Sequence, residues 1–229
     1  MTDNNIFLRM VLMRLKFFRL LSLCFLFVPL MSFAADPQED FIQKLQRKID
    51  SITDWQADFQ QKAYISSVGQ SDLSSGAVKI KKPMKVFWEY VKPGRQVLVS
   101  NGKKLYFYSE EDKQVMVRDL DADTLSGANL LFLASGKKLE DIYQIEVAMQ
   151  EPSSNEAVKF KMVPRKVQAN LSYIVLTVDR NTLDILSLQS FDPFENNTMV
   201  EFSNARGNSG IQDKFFVFRT PKGAEVVHQ

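Results

Sequence analysis

Cysteine and histidine each occur once in this 229-residue chain. Cys24 lies in a basic-then-apolar stretch near the N-terminus, and His228 stands beside the last residue. Once the N-terminal stretch is removed, no disulfide, thiol nucleophile or thiolate ligand remains. A lone histidine at a chain end, where order is least expected, completes no serine–histidine or cysteine–histidine pair. Enzymatic activity is therefore not expected. No apolar run reaches the roughly 20 residues that span a bilayer; the run from Leu20 to Met31 is about a dozen. Neither internal repeats nor a low-complexity linker divides the chain, which points to one domain with a sizeable core.

The N-terminus does carry a pattern. Arg9, Arg14, Lys16 and Arg19 precede the apolar run, which ends at Ser32-Phe33-Ala34. Basic, apolar and then small residues make a secretory signal peptide, with cleavage expected after Ala34. Met10 and Met13 are alternative starts. Leu23 stands before Cys24, where a lipid-attachment site places a small residue, so lipidation is not expected. The expected organisation is a signal peptide over 1–34 and one domain over 35–229. Removing four basic residues and Asp3 turns a formal charge of +2 into 25 positive against 26 negative charges. Nucleic-acid binding loses its electrostatic basis.

What remains is mostly strand-like. Phe41, Ile42, Leu45, Ile49 and Ile52 recur at helical spacing over Pro37–Ile52, with Glu39 and Asp40 in the first turn. Trp55 to Tyr64 then alternates apolar and polar residues, as do Val78 to Lys81 and Val86 to Val91. Val86, Trp88 and Tyr90 share one face of the latter. Lys82-Pro83, Pro93-Gly94 and Asn101-Gly102 mark turns at hairpin spacing. Leu130–Ala134 and Leu139–Tyr143 suggest two short helices separated by Gly136. Further strands are expected at Ile145–Met149, Val158–Val163, Ser172–Asp179, Ile185–Phe191, Thr198–Phe202 and Phe215–Arg219.

Candidate charged sites are weak. Asp119, Asp121 and Asp123 imitate the start of a calcium loop, but Thr124 and Leu130 stand where it needs glycine and glutamate. No metal or cofactor is expected. Lysines 79, 81, 82, 85, 103 and 104 form either a solvated strand face or a patch for an acidic partner. Trp88, Tyr90, Phe107 and Tyr108 belong to a filled core or to a lined cavity; alternation does not separate the two.

An ordered set of motifs is more specific. It runs through Phe59-Gln60-Gln61-Lys62, Gly76, Lys82-Pro83, Phe87-Trp88-Glu89-Tyr90, Pro93, Val97 to Lys103 and Leu105 to Tyr108. It continues through Gln114-Val115, Asp192, Thr198, Phe202, Asn204, Asn208, Phe215, Phe218, Pro221, Gly223 and Val226-Val227. In these residues the chain resembles the LolA family, the periplasmic carriers of outer-membrane lipoproteins. The resemblance implies a mainly β (α+β) fold, an incomplete antiparallel β-barrel with helices as a lid over an apolar cavity. It also implies a monomeric periplasmic chaperone. Such a carrier takes acylated lipoprotein cargo from an inner-membrane ABC-type exporter and passes it to an outer-membrane acceptor. A lipid- or lipoprotein-sensing scaffold of the same fold is the alternative.

By position, Val86, Trp88, Phe107, Leu130 and Leu133 are expected to line the acyl cavity. Lys82 and Ala134 would form the lid latch, with the ammonium bonded to carbonyls near Leu133 and Ala134. Two positions depart from the family pattern. Lys82 replaces an arginine, keeping the charge but losing the planar fork, and Val86 replaces a common phenylalanine. N-terminal sequencing of the exported protein should begin at Ala35; a retained leader in the membrane fraction would contradict the processing pattern.

Overall fold

The computed structural model describes residues 37–120, 130–148 and 156–228. The expected signal peptide, Met149 and most of the calcium-loop imitation fall outside them. The described residues belong to one compact unit. Helix α1 (Pro37–Ser51) leads into β1 (Asp54–Ile65), β2 (Gln70–Lys81), β3 (Lys85–Lys92), β4 (Gln96–Asn101), β5 (Lys104–Ser109) and β6 (Gln114–Asp119). Two short helices follow, α2 (Leu131–Ser135) and α3 (Leu139–Ile142). The rest comprises β7 (Tyr143–Ala148), β8 (Ala157–Pro164), β9 (Tyr173–Asp179), β10 (Ile185–Phe191), β11 (Asn197–Gly207) and β12 (Glu225–His228).

All twelve strands join one sheet in the order β12-β6-β5-β4-β3-β2-β1-β11-β10-β9-β8-β7. Two meanders, β1–β6 and β7–β11, are therefore fused where β1 pairs with β11. The ends of the sheet do not pair with each other, so it stays open. Every neighbour is antiparallel except β12 on β6, which is parallel.

Alternation gives the sheet two working faces. Trp88, Leu98, Phe107 and Met116 lie opposite one another across β3 to β6, and Phe87, Val99, Tyr106 and Val117 form the companion row on the other face. The inner face packs against α1, whose Ile42, Leu45 and Ile49 are buried with Phe59, Phe160 and Leu188 in the main core. The amphipathic period of α1 explains this seat: its apolar stripe covers the sheet and its polar face stays wet.

The outer face of β3–β6 is covered by the segment after β11. Phe215–Arg219, expected as a strand, instead contains a 3₁₀ turn at Asp213–Phe216 followed by irregular chain. β3, β4 and β5 are already paired on both sides, so a segment crossing their outer face has no edge to join. It packs by side chain instead. Phe216 is buried to 1% exposure, and Phe218 stacks on Tyr106 with centroids 5.0 Å apart. The final strand then runs beside β6, placing His228 opposite Val117, so the chain end expected to be disordered is paired.

The lysine-rich face is engaged within the chain. Lys81 and Lys85 converge on Asp213 at 2.7 and 3.0 Å, and their hydrogen bonds hold that carboxyl below its usual range. Lys104 meets Asp119 at 2.8 Å, and Lys79 lies over the Phe87 and Phe215 rings.

Gly76 marks the closest backbone approach. A Cβ there would stand 1.8 Å from the carbonyl oxygen of Glu89 and 3.0 Å from the Phe59 ring. A β-bulge lies beside it, between Ser75 and Gly76. The absence of a side chain lets Phe59 and Tyr90 meet edge to face at 5.2 Å. Gly76→Ala should lower the unfolding free energy by about 2–3 kcal/mol, because β2 and β3 must separate; an unchanged denaturation midpoint would contradict that packing.

Candidate functional site

Between the inner face of the sheet and Leu130, which caps α2, lies a cavity of about 440 Å³. Its walls begin with β3, which presents Val86, Trp88 and Tyr90 by simple alternation. β2 contributes Ile80, β4 contributes Leu98 and β5 contributes Phe107. Leu130, at the start of α2, reaches the same space. The other meander supplies Leu188, Val200 and Phe202.

Aromatic rings give the wall its shape. Phe59 lies 4.7 Å from Trp88, and Trp88 lies 6.2 Å from Tyr90, in tilted arrangements suited to ring quadrupoles. The Tyr90 hydroxyl donates to Gln61 Oε1 at 3.1 Å. Burial raises the Tyr90 phenol above its ordinary value. Tyr90 therefore stays a neutral donor.

Of the residues expected at the site, Val86, Trp88, Phe107 and Leu130 border the cavity. Leu133 does not: it is 1% exposed and sealed in the main core. It lies one helical turn beyond Leu130, within an α2 that packs on β2 and β3. Ala134 is likewise fully buried, and its carbonyl accepts the Met84 backbone N–H at 3.0 Å.

The latch differs from expectation. Lys82 Nζ donates to the Ile49 carbonyl at 2.7 Å, near the C-terminal end of α1. A flexible stem with a compact charge reaches a carbonyl in the last turn of α1, and a helix C-terminus favours a cation. Burial lowers the Lys82 ammonium pKa, and Asp50 partly offsets this. The turn Lys82–Met84 thus holds both helices by different means. Lys82 grips α1 by side chain, and Met84 holds α2 by backbone. Ser100 Oγ braces the turn by donating to the Met84 carbonyl at 2.7 Å. A further tie joins α3 to α1: Leu139 N–H donates to Gln46 Oε1 at 2.7 Å. Gly136, at φ +65°, ends α2 in the left-handed region.

Sequence reasoning missed half of the wall. Gln61 faces Val200 across the β1–β11 seam, 139 positions along the chain. Strand alternation marks the inward side of each strand, but only the register shows that these two sides meet. Among the described residues, no cluster of His, Cys, Asp and Glu could hold a metal ion, and no helix is long and apolar enough to cross a membrane.

Comparison with known proteins identifies the family. The family model for the outer membrane lipoprotein carrier protein LolA matches residues 50–219, and the chain belongs to that family. The outer-membrane lipoprotein carrier protein of Chromohalobacter salexigens is 28% identical over 195 residues, covering 85% of this chain and 90% of its own length. The carriers of Chromobacterium violaceum and Methylococcus capsulatus are each 29% identical, with the same shares covered. Among solved structures, a LolA superfamily protein from Nitrosomonas europaea aligns with a TM-score of 0.44 at 11% identity, covering 78% of this chain and 98% of that one.

Lys82→Met should cost roughly 1 kcal/mol of stability through the lost hydrogen bond. It should speed amide exchange at Ile52, whose N–H also donates to the Ile49 carbonyl, while Leu133 exchange stays unchanged. Faster exchange confined to the lid would instead assign Lys82 to α2.

Proposed function

We propose that this protein is a periplasmic chaperone. It binds the acyl chains of lipoproteins released from the inner membrane and delivers them to an outer-membrane acceptor. The observation that carries the reading is the apolar cavity under latched helices in a member of this family. The names of its relatives support the carrier role. Binding rather than catalysis is the chemistry such a wall offers, because apolar rings and aliphatic side chains stabilise cargo only by excluding water.

The size of the cavity sets how it works. A cavity of about 440 Å³ admits acyl methylenes, and at about 0.8 kcal/mol per buried methylene a single chain of roughly fifteen gains on the order of 10 kcal/mol. That gain is firm yet compatible with onward transfer. A cargo with several acyl chains needs the helices to move, which breaks the hydrogen bonds that Met84, Lys82 and Gln46 make, each about 1 kcal/mol net, and uncovers buried Leu133 and Ala134, an apolar loss that the acyl chains must replace.

Inner-membrane exporter and outer-membrane acceptor follow from a carrier's need for a source and a destination; the chain itself acts as a monomer between them. Trp88→Ala should weaken binding of an environment-sensitive apolar fluorophore at least tenfold, on the scale of one lost aromatic contact surface. Its fold should survive, because Trp88 is only half-buried. Equal binding by the variant and the parent would remove Trp88 from the wall and the acyl cavity from the account.

A further inference from the structure

Sheet register gathers cations on the face opposite the cavity. Lys81 lies across from Lys85, and Lys79 across from Phe87, on the side of β2 and β3 that Val86 and Trp88 do not share. Like charges directly opposite repel, and here one carboxylate, Asp213, answers both Lys81 and Lys85. Two further ammoniums flank a single ring: Lys79 and Lys214 stand 5.1 and 5.7 Å from the Phe215 centroid. Neither makes an ion pair among the described residues.

The carboxylates nearby leave this surplus in place. Asp54, across from Lys81, is 4% exposed and accepts from the Ser209 and Gly210 amides. The next row on this face holds Asp58 and Glu89 on either side of Ala77. Asp58 accepts from Asn204 Nδ2, and Glu89 is paired with Arg95.

Apolar groups stand out among these charges. Phe216 is buried and Phe218 stacks on Tyr106, whereas Phe215 and Val217 between them are 37% and 60% exposed. Phe215 meets Phe87 edge to face at 6.3 Å, so one side of its ring is braced and the other is open. Lys214 and Arg219, which bound this run, are exposed. β2 and β3 are internal strands, so the face offers no strand edge to a peptide.

Exposed apolar side chains among cations match the boundary layer of an anionic bilayer, where rings enter the headgroups and lysines meet phosphates. A protein partner is held by anchors sunk in fully desolvated pockets. Shallow apolar groups ringed by long-stemmed ammoniums fit a fluid surface better. We propose that this face docks reversibly on an anionic phospholipid surface, with Phe215 and Val217 entering the headgroup layer and Lys79 and Lys214 meeting lipid phosphates. Two apolar side chains and a few lysines hold a membrane only weakly, which suits a protein that must leave it again. The docking face is distinct from the cavity and does not rest on the carrier reading.

Co-sedimentation with vesicles tests the docking. The exported protein is mixed with vesicles of equal parts phosphatidylcholine and phosphatidylglycerol, or of phosphatidylcholine alone. Binding is expected to the first and not to the second, and it should fall as salt rises. Lys79→Gln combined with Lys214→Gln should weaken it about tenfold or more, the scale of two lysines at an anionic surface. Lys159→Gln combined with Lys166→Gln removes the same charge from exposed positions of the other meander and should leave binding unchanged. No cysteine follows Cys24, so Val217→Cys takes an environment-sensitive fluorescent label at one site of the processed chain. Its emission should shift to the blue on anionic vesicles, while the same label at Val167→Cys, in the exposed loop after β8, should not shift. Equal binding to both vesicles, equal loss from the two charge pairs, or a shift at position 167 without one at 217 overturns the proposal. None of these readouts uses acylated cargo, so such a failure leaves the carrier reading standing.

Discussion

The pairing of β1 with β11 is the constraint on which the rest of the molecule depends. It joins two meanders that are each too small to enclose anything, and it does so with a register that sets Gln61 against Val200 and Phe59 against Phe202. Because side chains alternate with a period of two, a slip of one residue would turn every inward side chain outward. The apolar wall, the seat of α1 and the row of rings around Phe59 all require this single register. Gly76 serves the same end, since a side chain there would push β2 from β3 where the rings meet.

A cavity inside a sheet must be kept from collapsing, and the two faces share that task. On the outer face, Asn208 and Asp54 fix the start of the C-terminal segment. Asn208 receives the Thr53 N–H and donates to the Ser51 carbonyl. Asp54 accepts from the Ser209 and Gly210 amides. The segment then lays Ile211, Phe216 and Phe218 beneath β3–β6 before pairing as β12. On the inner face, Ile42, Leu45 and Ile49 of α1 pack into the main core.

Much of the fold was legible in the sequence because one face of most strands is buried. β3 and β10 stand where their alternation places them, and α2 and α3 flank Gly136 as their composition suggests. The first half of β2, Gln70 to Gly76, carried no such signal: it is polar on both sides and extended because it pairs with β1. Phe215 to Arg219 carried a misleading one, since an apolar run crossing a sheet face resembles a strand until the absence of a free edge is known. At the site, Val86, Trp88 and Phe107 were visible through alternation and resemblance. Leu188, Val200 and Phe202 were not, because long-range register is unwritten in any one segment. Lys82 shows a different limit. Its position by Pro83 was plain, but the aim of four methylenes depends on which helix end stands nearest.

Native mass spectrometry of the protein isolated without detergent from cells that make it tests the central claim most directly. The account predicts a one-to-one complex with acylated polypeptides of several masses, from which collisional activation releases the lipidated chain intact. Protein that emerges with no acylated polypeptide, from cells that are making lipoproteins, would contradict it.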